Sequence, residues 1–210
     1  MLAVSGAVLL RLESLTAVAD LNEGSAENPI NLRQLVEQCG ERVVRFTPDR
    51  TRVILQRGGR AGDEDVVHGL VSPEGKIEIT GARSKDASIG ALKLFTTWMS
   101  ERLGRTIAFS DYRLTRAKSA ADCGFRVRLE ELHVALAPEQ LLLFEPEVFP
   151  GLVMRAPGGA HAHVSVAVFA SGRIELWAGG EDEGADLQAA FKPTYDLLRG
   201  FQDGGGGAGA

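Results

Sequence analysis

Two cysteines in 210 residues leave no room for a disulfide framework. Cys39 and Cys123 point instead to a reduced compartment. Positive charge is also short, with 23 Lys and Arg against 28 Asp and Glu, a net charge of −5. Phosphate neutralisation dominates non-specific nucleic-acid binding and needs cations, so this balance argues against a strong non-specific binder. No apolar run approaches the roughly 20 residues that a membrane span needs. The apolar segment Met1–Leu10 lacks a basic leader and is cut short by Arg11 and Glu13, so a strand is expected there and not a signal peptide. Histidines number four. His161 and His163 have the spacing of two ligands on one side of a strand, but no further His or Cys lies nearby, so no metal site is expected. Gly69 to Lys76 imitates a phosphate loop only faintly: the spacing is off by one, and neither a Ser or Thr nor a helix follows Lys76. No Ser/His/Asp or Cys/His group clusters or repeats. These gaps together argue against an enzyme and against a cofactor. The closing glycine run Gly204–Ala210 is expected to be disordered.

What is present is a repeat. Phe46-Thr-Pro-Asp-Arg-Thr-Arg-Val-Ile-Leu-Gln-Arg57 lines up with Phe144-Glu-Pro-Glu-Val-Phe-Pro-Gly-Leu-Val-Met-Arg155 at an offset of 98. Phe46/Phe144, Pro48/Pro146, Asp49/Glu147, Ile54/Leu152 and Arg57/Arg155 coincide. On either side the offset is 97: Ile30, Leu32 and Leu35 fall on Val127, Leu129 and Leu132, and Gly75–Ile79 falls on Gly172–Leu176. A one-residue indel explains the change. A long unit found twice implies two similar halves and not a solenoid. A pseudo-twofold protein suits a pseudo-twofold partner, of which duplex DNA is the commonest.

Each half has the same order of elements. Asn28–Cys39 has helical spacing, with Asn28-Pro29 as a start and Gly40 as a stop. Strands are expected at Arg52–Gln56, Val66–Val71 and Lys76–Thr80; the last alternates strictly, with Ile77 and Ile79 on one side. Ala87–Leu103 should be a long helix with a stripe of Ile89, Leu92, Phe95 and Met99. The second half repeats this with a helix at Val127–Val134, strands at Leu152–Arg155, Val164–Phe169 and Arg173–Trp177, and a helix at Ala185–Arg199 striped by Leu187, Phe191, Thr194 and Leu198. Antiparallel strands with helices on one face mean an α+β fold. The other sheet face is then solvated or occupied by a partner.

Phe144–Arg155, Phe169-Ala-Ser-Gly-Arg-Ile174, Gly75–Ser84 and Phe125-Arg-Val-Arg-Leu-Glu130 closely resemble motifs of the TATA-box-binding protein family, over roughly residues 1–201. The resemblance implies two pseudo-twofold repeats, 1–106 with an insertion near 17–27 and 107–203. It implies a saddle with a curved ten-stranded antiparallel sheet, concave towards DNA, and four helices on the convex side. In that family two phenylalanine pairs wedge into the minor groove. Phe149 and Phe169 stand where the second-repeat pair belongs, whereas the first repeat has Thr51 and, across a one-residue ambiguity, Ser72. The central asparagines of the family are replaced by Arg116 and by a residue near Gly6. Glu78 and Glu175 replace apolar residues of the concave face, Ser165 and Ala167 are smaller than the usual floor, and Trp177 stands where a threonine is usual.

Lys76, Thr80 and Arg83, with Arg155 and Arg173, match groove and phosphate contacts that position a backbone without reading sequence. Glu145, Glu147 and Val148 match the surface on which the family docks transcription factor IIB. The resemblance therefore implies a nuclear, TATA-box-binding-protein-related factor, a monomer within a larger complex. It would sit on double-stranded promoter DNA with relaxed sequence preference and assemble with IIB-like and IIA-like proteins. The rival expectation is a protein-interaction scaffold with little DNA binding of its own, favoured by Glu78, Glu175 and the acidic balance. Asp63-Glu-Asp65 and Glu181-Asp-Glu183 are expected as solvated loop acids.

Overall fold

Residues 3–4, 8–22, 29–39, 44–57, 66–137, 142–180 and 183–203 are described by the computed structural model. They fall into two compact units: Glu13–Arg116, and Met1–Leu12 together with Ala117–Ala210. The glycine run 204–210, Gly6, Gly40 and Asp63–Asp65 lie outside the described residues.

The short antiparallel pair of β1 (Ala3–Val4) and β2 (Val8–Leu9) belongs to the unit that includes Met1–Leu12, whereas the unit Glu13–Arg116 is built on strands β3 (Arg11–Leu21), β4 (Val44–Phe46), β5 (Val53–Arg57), β6 (Val67–Val71), β7 (Lys76–Ala82) and the start of β8 (Phe109–Asp122). Its strand order is β4-β5-β6-β7-β3-β8, and the pairs from β4 to β3 are antiparallel. Helices α1 (Leu32–Cys39) and α2 (Lys85–Leu103) cover one face. Leu92, Phe95 and Met99 of α2 pack with Leu35, Val53, Leu55, Val71, Ile77 and Ile79. Each such side chain contributes roughly 1.5–3 kcal/mol on burial. The ends of α2 are closed by Ser84, whose Oγ accepts the Ala87 N–H at 3.1 Å, and by Gly104, left-handed at φ 65°.

Helix α1 begins later than its sequence pattern suggests. The Ile30 N–H donates to the Pro73 carbonyl at 2.9 Å, which holds Ile30 against the sheet and out of the helix. Asn31 starts α1 instead, its Oδ1 accepting the Gln34 N–H at 3.1 Å. The stretch 17–27, read as an insertion, starts as strand: Ala17–Leu21 complete β3, Asn22 follows, and 23–28 lie outside the described residues.

The other unit carries the end of β8, helix α3 (Leu129–Leu136), strands β9 (Gly151–Arg155), β10 (Ser165–Phe169) and β11 (Arg173–Ala178), and helix α4 (Glu183–Arg199). The order β8-β11-β10-β9 is antiparallel throughout. Leu187, Phe191, Thr194 and Leu198 of α4 are fully buried, as are Leu152, Val166, Val168, Ile174 and Leu176 of the sheet. Val127 is not helical, because its N–H donates to the Ala170 carbonyl and it bridges Gln202. The counterpart of β4 is reduced to a single bridge, Leu143 with Val153. Among the described residues the strand order therefore runs to nine strands, one fewer than expected.

Both units are α+β, with antiparallel strands and helices on one face. Their registers also correct the sequence alignment. Val71 pairs with Ile77 as Val168 pairs with Ile174, which keeps the offset of 97 and makes Ser72 the counterpart of Phe169. Val53 pairs with Val71 as Leu152 pairs with Val168, so β5 and β9 are related by 99 and not 98. Ile54 matches Val153 and Gln56 matches Arg155; the extra residue lies between the turn and β9, beside Pro150. Thr16 pairs with Thr80 as Lys118 pairs with Trp177, an offset of 102 between β3 and β8. Continuing it makes Ser14, and not Gly6, the counterpart of Arg116.

Candidate nucleic-acid interface

Strand alternation sorts side chains into a helix-covered face and an open one. In the unit containing β9–β11 the open face carries Val153 and Arg155 of β9, Ser165, Ala167 and Phe169 of β10, Arg173, Glu175 and Trp177 of β11, and Lys118 and Ala120 of β8. Phe169 pairs with Gly151 at the edge of this face. The Phe149 ring lies 5.6 Å from the Phe169 ring, edge to face. Both rings are half-buried. Gly151 lies beneath both, and a Cβ there would come within 2.8 Å of Phe149 Cε1 and 3.2 Å of Phe169 Cε1. The pair stands on the side of the sheet away from the α4 core.

The turn leading to Phe149 is fixed by its own backbone. The Val148 and Phe149 N–H groups both donate to the Glu145 carbonyl at 2.9 Å. Glu145, Glu147 and Val148 are exposed on this turn, and Val148 is 80% exposed. An isolated valine so presented gains nothing for folding. The turn is backed by His133 of α3, whose ring lies 5.3 Å from the Phe144 ring.

The equivalent turn of the other unit is closed by polar bonds. Thr51 Oγ1 donates to Asp49 Oδ2 at 2.8 Å and its N–H to Oδ1 at 3.2 Å. Thr47 Oγ1 also donates to Asp49. These bonds, the one from Thr47 first, hold the Asp49 carboxyl down at about 2. Arg50 takes a left-handed φ of 58° to close the turn. Thr51 is thus occupied within its own loop, and Ser72 Oγ accepts the Lys76 N–H at 3.3 Å. No aromatic ring stands at either position.

The open face of the unit Glu13–Arg116 is correspondingly polar, with Gln56 of β5, His68 of β6, and Lys76, Glu78 and Thr80 of β7, around Ile54 and Leu70. Thr80 Oγ1 lies 3.5 Å from Thr16 Oγ1. Arg52 Nη1 approaches Glu78 at 4.0 Å. Arg83 is exposed just before the Ser84 cap, and Arg116 is exposed on β8.

Glu175 is not a bare carboxylate. Lys118 Nζ lies 3.0 Å from its Oε2, and Arg173 Nη2 and Nε lie 3.0 and 3.2 Å from its Oε1. Burial alone raises its pKa, but the hydrogen bonds and charges of Lys118 and Arg173 outweigh that and hold it below the ordinary value. Arg155 donates to Ser165 Oγ at 2.9 Å. Cys123 is buried, and desolvation, aided by Asp122, pushes its thiol up to about 12, so it is chemically quiet. His163 Nε2 contacts Asp186 at 2.9 Å, a link between a loop and α4. Among the described residues no three His, Cys, Asp or Glu side chains are placed to hold a metal.

The structure thus brings Phe149, Phe169, Arg155 and Arg173 to one open face. Lys76 and Thr80 lie on the open face of the other unit. Three contributors were not singled out from sequence: Lys118, Arg52 and Gly151. Lys118 was the most accessible of them, since it follows Arg116 by two on one strand.

A family model described as "Transcription factor TFIID (or TATA-binding protein, TBP)" matches residues 112–201. The "TATA box-binding protein-like 2" of Danio rerio is 26% identical over 200 residues, 95% of this chain and 58% of that protein. Its namesake in Rattus norvegicus is 32% identical over 133 residues, 63% of this chain and 36% of that one. The "TATA-box-binding protein" of Xenopus tropicalis is 31% identical over 133 residues, 63% of this chain and 42% of that protein. The chain spans about half the length of the curated relatives it matches. Among solved structures, "Methanococcus jannaschii TBP" superposes with a TM-score of 0.63 over 91% of this chain and 98% of that one, at 21% identity, and shares the fold.

Proposed function

Because the chain is a divergent member of the TATA-box-binding protein family, a family of transcription factors, we propose that it binds promoter DNA through the open sheet faces and helps nucleate a preinitiation complex in the nucleus. Phe149 and Phe169 form the wedge that enters the minor groove and unstacks one base step. Such wedging costs a few kcal/mol per step in minor-groove binders, this family among them, and is offset by the protein surface that the bent duplex then reaches. Arg116, Arg155, Arg173, Lys76, Thr80 and Arg83 contact groove and phosphates. A IIB-like protein grips the turn at Glu145, Glu147 and Val148, and a IIA-like protein adds to the assembly. Sequence preference is relaxed, because Thr51 and Ser72 supply no second wedge and Ser14 and Arg116 stand where the family's asparagines belong.

The observation that carries this reading is the Phe149–Phe169 pair, half-exposed at 5.6 Å on a face that no helix covers. A scaffold that binds protein and little DNA is the second reading. It is favoured by Glu78 and Glu175 on the open faces and by the net charge of −5. Fluorescence anisotropy of TATA-containing and scrambled duplexes at two salt concentrations, with and without factor IIB, separates the two. Salt-sensitive binding that weakens in Phe149→Ala/Phe169→Ala supports the wedge. Absence of binding even with factor IIB moves the assignment to the scaffold.

A further inference from the structure

We propose that Glu175 is an internal stand-in for a DNA phosphate: its carboxylate holds Lys118 and Arg173 on the open face and restrains sequence-independent binding to duplex. This rests on the DNA-binding reading above and adds a specificity device to it.

The geometry is that of an anion site already filled. Each carboxylate oxygen has its own cation, Lys118 Nζ at 3.0 Å on Oε2 and Arg173 Nη2 at 3.0 Å on Oε1. Arg173 also brings Nε to the same oxygen, at 3.2 Å. A guanidinium grips carboxylate and phosphate with the same fork. The three groups come from adjacent positions: Glu175 pairs with Ala120 and Trp177 with Lys118, so Lys118, Arg173 and Glu175 share the open side. They are also layered. The Glu175 side chain is 18% exposed, whereas those of Lys118 and Arg173 are 35% and 48% exposed. The acid lies beneath and the cations face outward.

Stability gives this cluster little reason to exist. Partly exposed ion pairs add little to folding stability, and the cross-strand neighbours of the acid are the small residues Ala120 and Ala167. The consequence for binding is larger. Non-specific affinity scales with the number of phosphates neutralised, and a cation already bound to a carboxylate must break that pair to neutralise one. Glu78 occupies the equivalent place in the other unit but holds its cation loosely, with Arg52 at 4.0 Å.

The test compares wild type with Glu175→Gln, an isosteric change, and with Glu130→Gln, which alters net charge equally at an exposed position on α3. Two readouts are taken: anisotropy on a labelled scrambled duplex across salt, and retention on heparin. Glu175→Gln should bind the scrambled duplex more tightly. Its plot of log K against log salt should steepen by about one to two, since each added phosphate contact contributes about 0.9. Each such contact is a difference of about 3.5-fold over a fourfold change in salt. Removing Lys118 and Arg173 in the Glu175→Gln background should abolish the gain. Glu175→Asp, which draws the carboxylate back by one methylene, should shift binding the same way but less. On heparin, Glu175→Gln should elute at higher salt than Glu130→Gln. If the two Gln variants match in both readouts, the stand-in is refuted, whether or not wild type binds duplex. If neither binds duplex but Glu175→Gln alone gains heparin retention, the held cations are confirmed and the DNA-binding reading falls instead.

Discussion

Replacing Gly151 by alanine separates the aromatic pair from the fold that carries it. Gly151 opens β9 opposite Phe169. An added Cβ would sit 2.8 Å from Phe149 Cε1, 3.2 Å from Phe169 Cε1 and 3.1 Å from the Val168 carbonyl oxygen, where ordinary contact begins at 3.4 Å. The difference, 3.4 − 2.8 Å, requires the Phe149 ring to retreat by about 0.6 Å. That ring is half-exposed at the end of a turn and can move; the Val168 carbonyl has to give by only a few tenths. Overpacking costs roughly 1–3 kcal/mol in a closed core, so about 1 kcal/mol is expected at this edge, a Tm lower by about 2–4 °C. The effect on DNA should exceed the effect on stability. The aromatic pair loses its packed geometry, so, if it wedges as proposed, energy-transfer measurements on end-labelled duplex should show less bending and faster dissociation. A double-mutant cycle checks the cause. In a Phe149→Ala background the tightest of the three contacts is gone, and Gly151→Ala should cost less, with an interaction energy of about 0.5 kcal/mol or more. Additivity within about 0.3–0.5 kcal/mol, or bending that neither change alters, would mean that Gly151 does not set the position of the Phe149 ring.

Two further outcomes follow from the same geometry. Gly69→Ala meets an aromatic ring that cannot retreat: its Cβ would lie 2.9 Å from Phe95 Cδ2, and Phe95 is 4% exposed beneath α2. Denaturant unfolding should show a loss towards the upper part of the roughly 1–3 kcal/mol range, larger than that of Gly151→Ala; an unchanged midpoint would contradict the packing described. For Asp49, the folded pKa of about 2 lies below the ordinary 3.8. Its bonds to Thr47 and Thr51 therefore support the turn fully above pH 3.8 and are lost as pH falls towards 2. A carbon-detected NMR titration should place the Asp49 midpoint near 2, and a midpoint at 3.8 would mean that the turn is open in solution.

Periodicity in the sequence located helices α2 and α4 and the shorter strands well, because their signals are local, but it did not show the two longest strands, β3 and β8. The stripes of α2 and α4 and the alternation of Lys76–Thr80 each need only neighbours a few residues away. Where the reading slipped, a distant partner was responsible. Helices α1 and α3 start late because the Ile30 and Val127 N–H groups are taken by the carbonyls of Pro73 and Ala170. The offset of 98 holds for the turns, where the Arg50 N–H donates to the Thr47 carbonyl and the Val148 N–H to that of Glu145. It fails by one on the strands, because only cross-strand register shows which face Ile54 and Leu152 take. The same holds for the site. Phe149 and Phe169 could be found by motif, but the Glu175 cluster exists only because β8 pairs with β11.

The difference between the two units is more than the loss of a ring. Where one unit presents Phe149 above a glycine, the other has a turn whose threonines bond to Asp49. A phenylalanine placed at Thr51 would leave Asp49 without one of its side-chain donors, the Thr51 hydroxyl. The polar turn is thus a structure in its own right, and it stabilises itself at the expense of a wedge. On the function proposed above, the unit with Phe149 and Phe169 would open a base step, whereas the other presents a polar turn at the matching place. Restoring the second wedge would therefore take Asp49 as well as Thr51 and Ser72. The triple change to the residues of the other unit, Thr51→Phe, Ser72→Phe and Asp49→Glu, should raise duplex bending, whereas Thr51→Phe alone should mainly destabilise the turn.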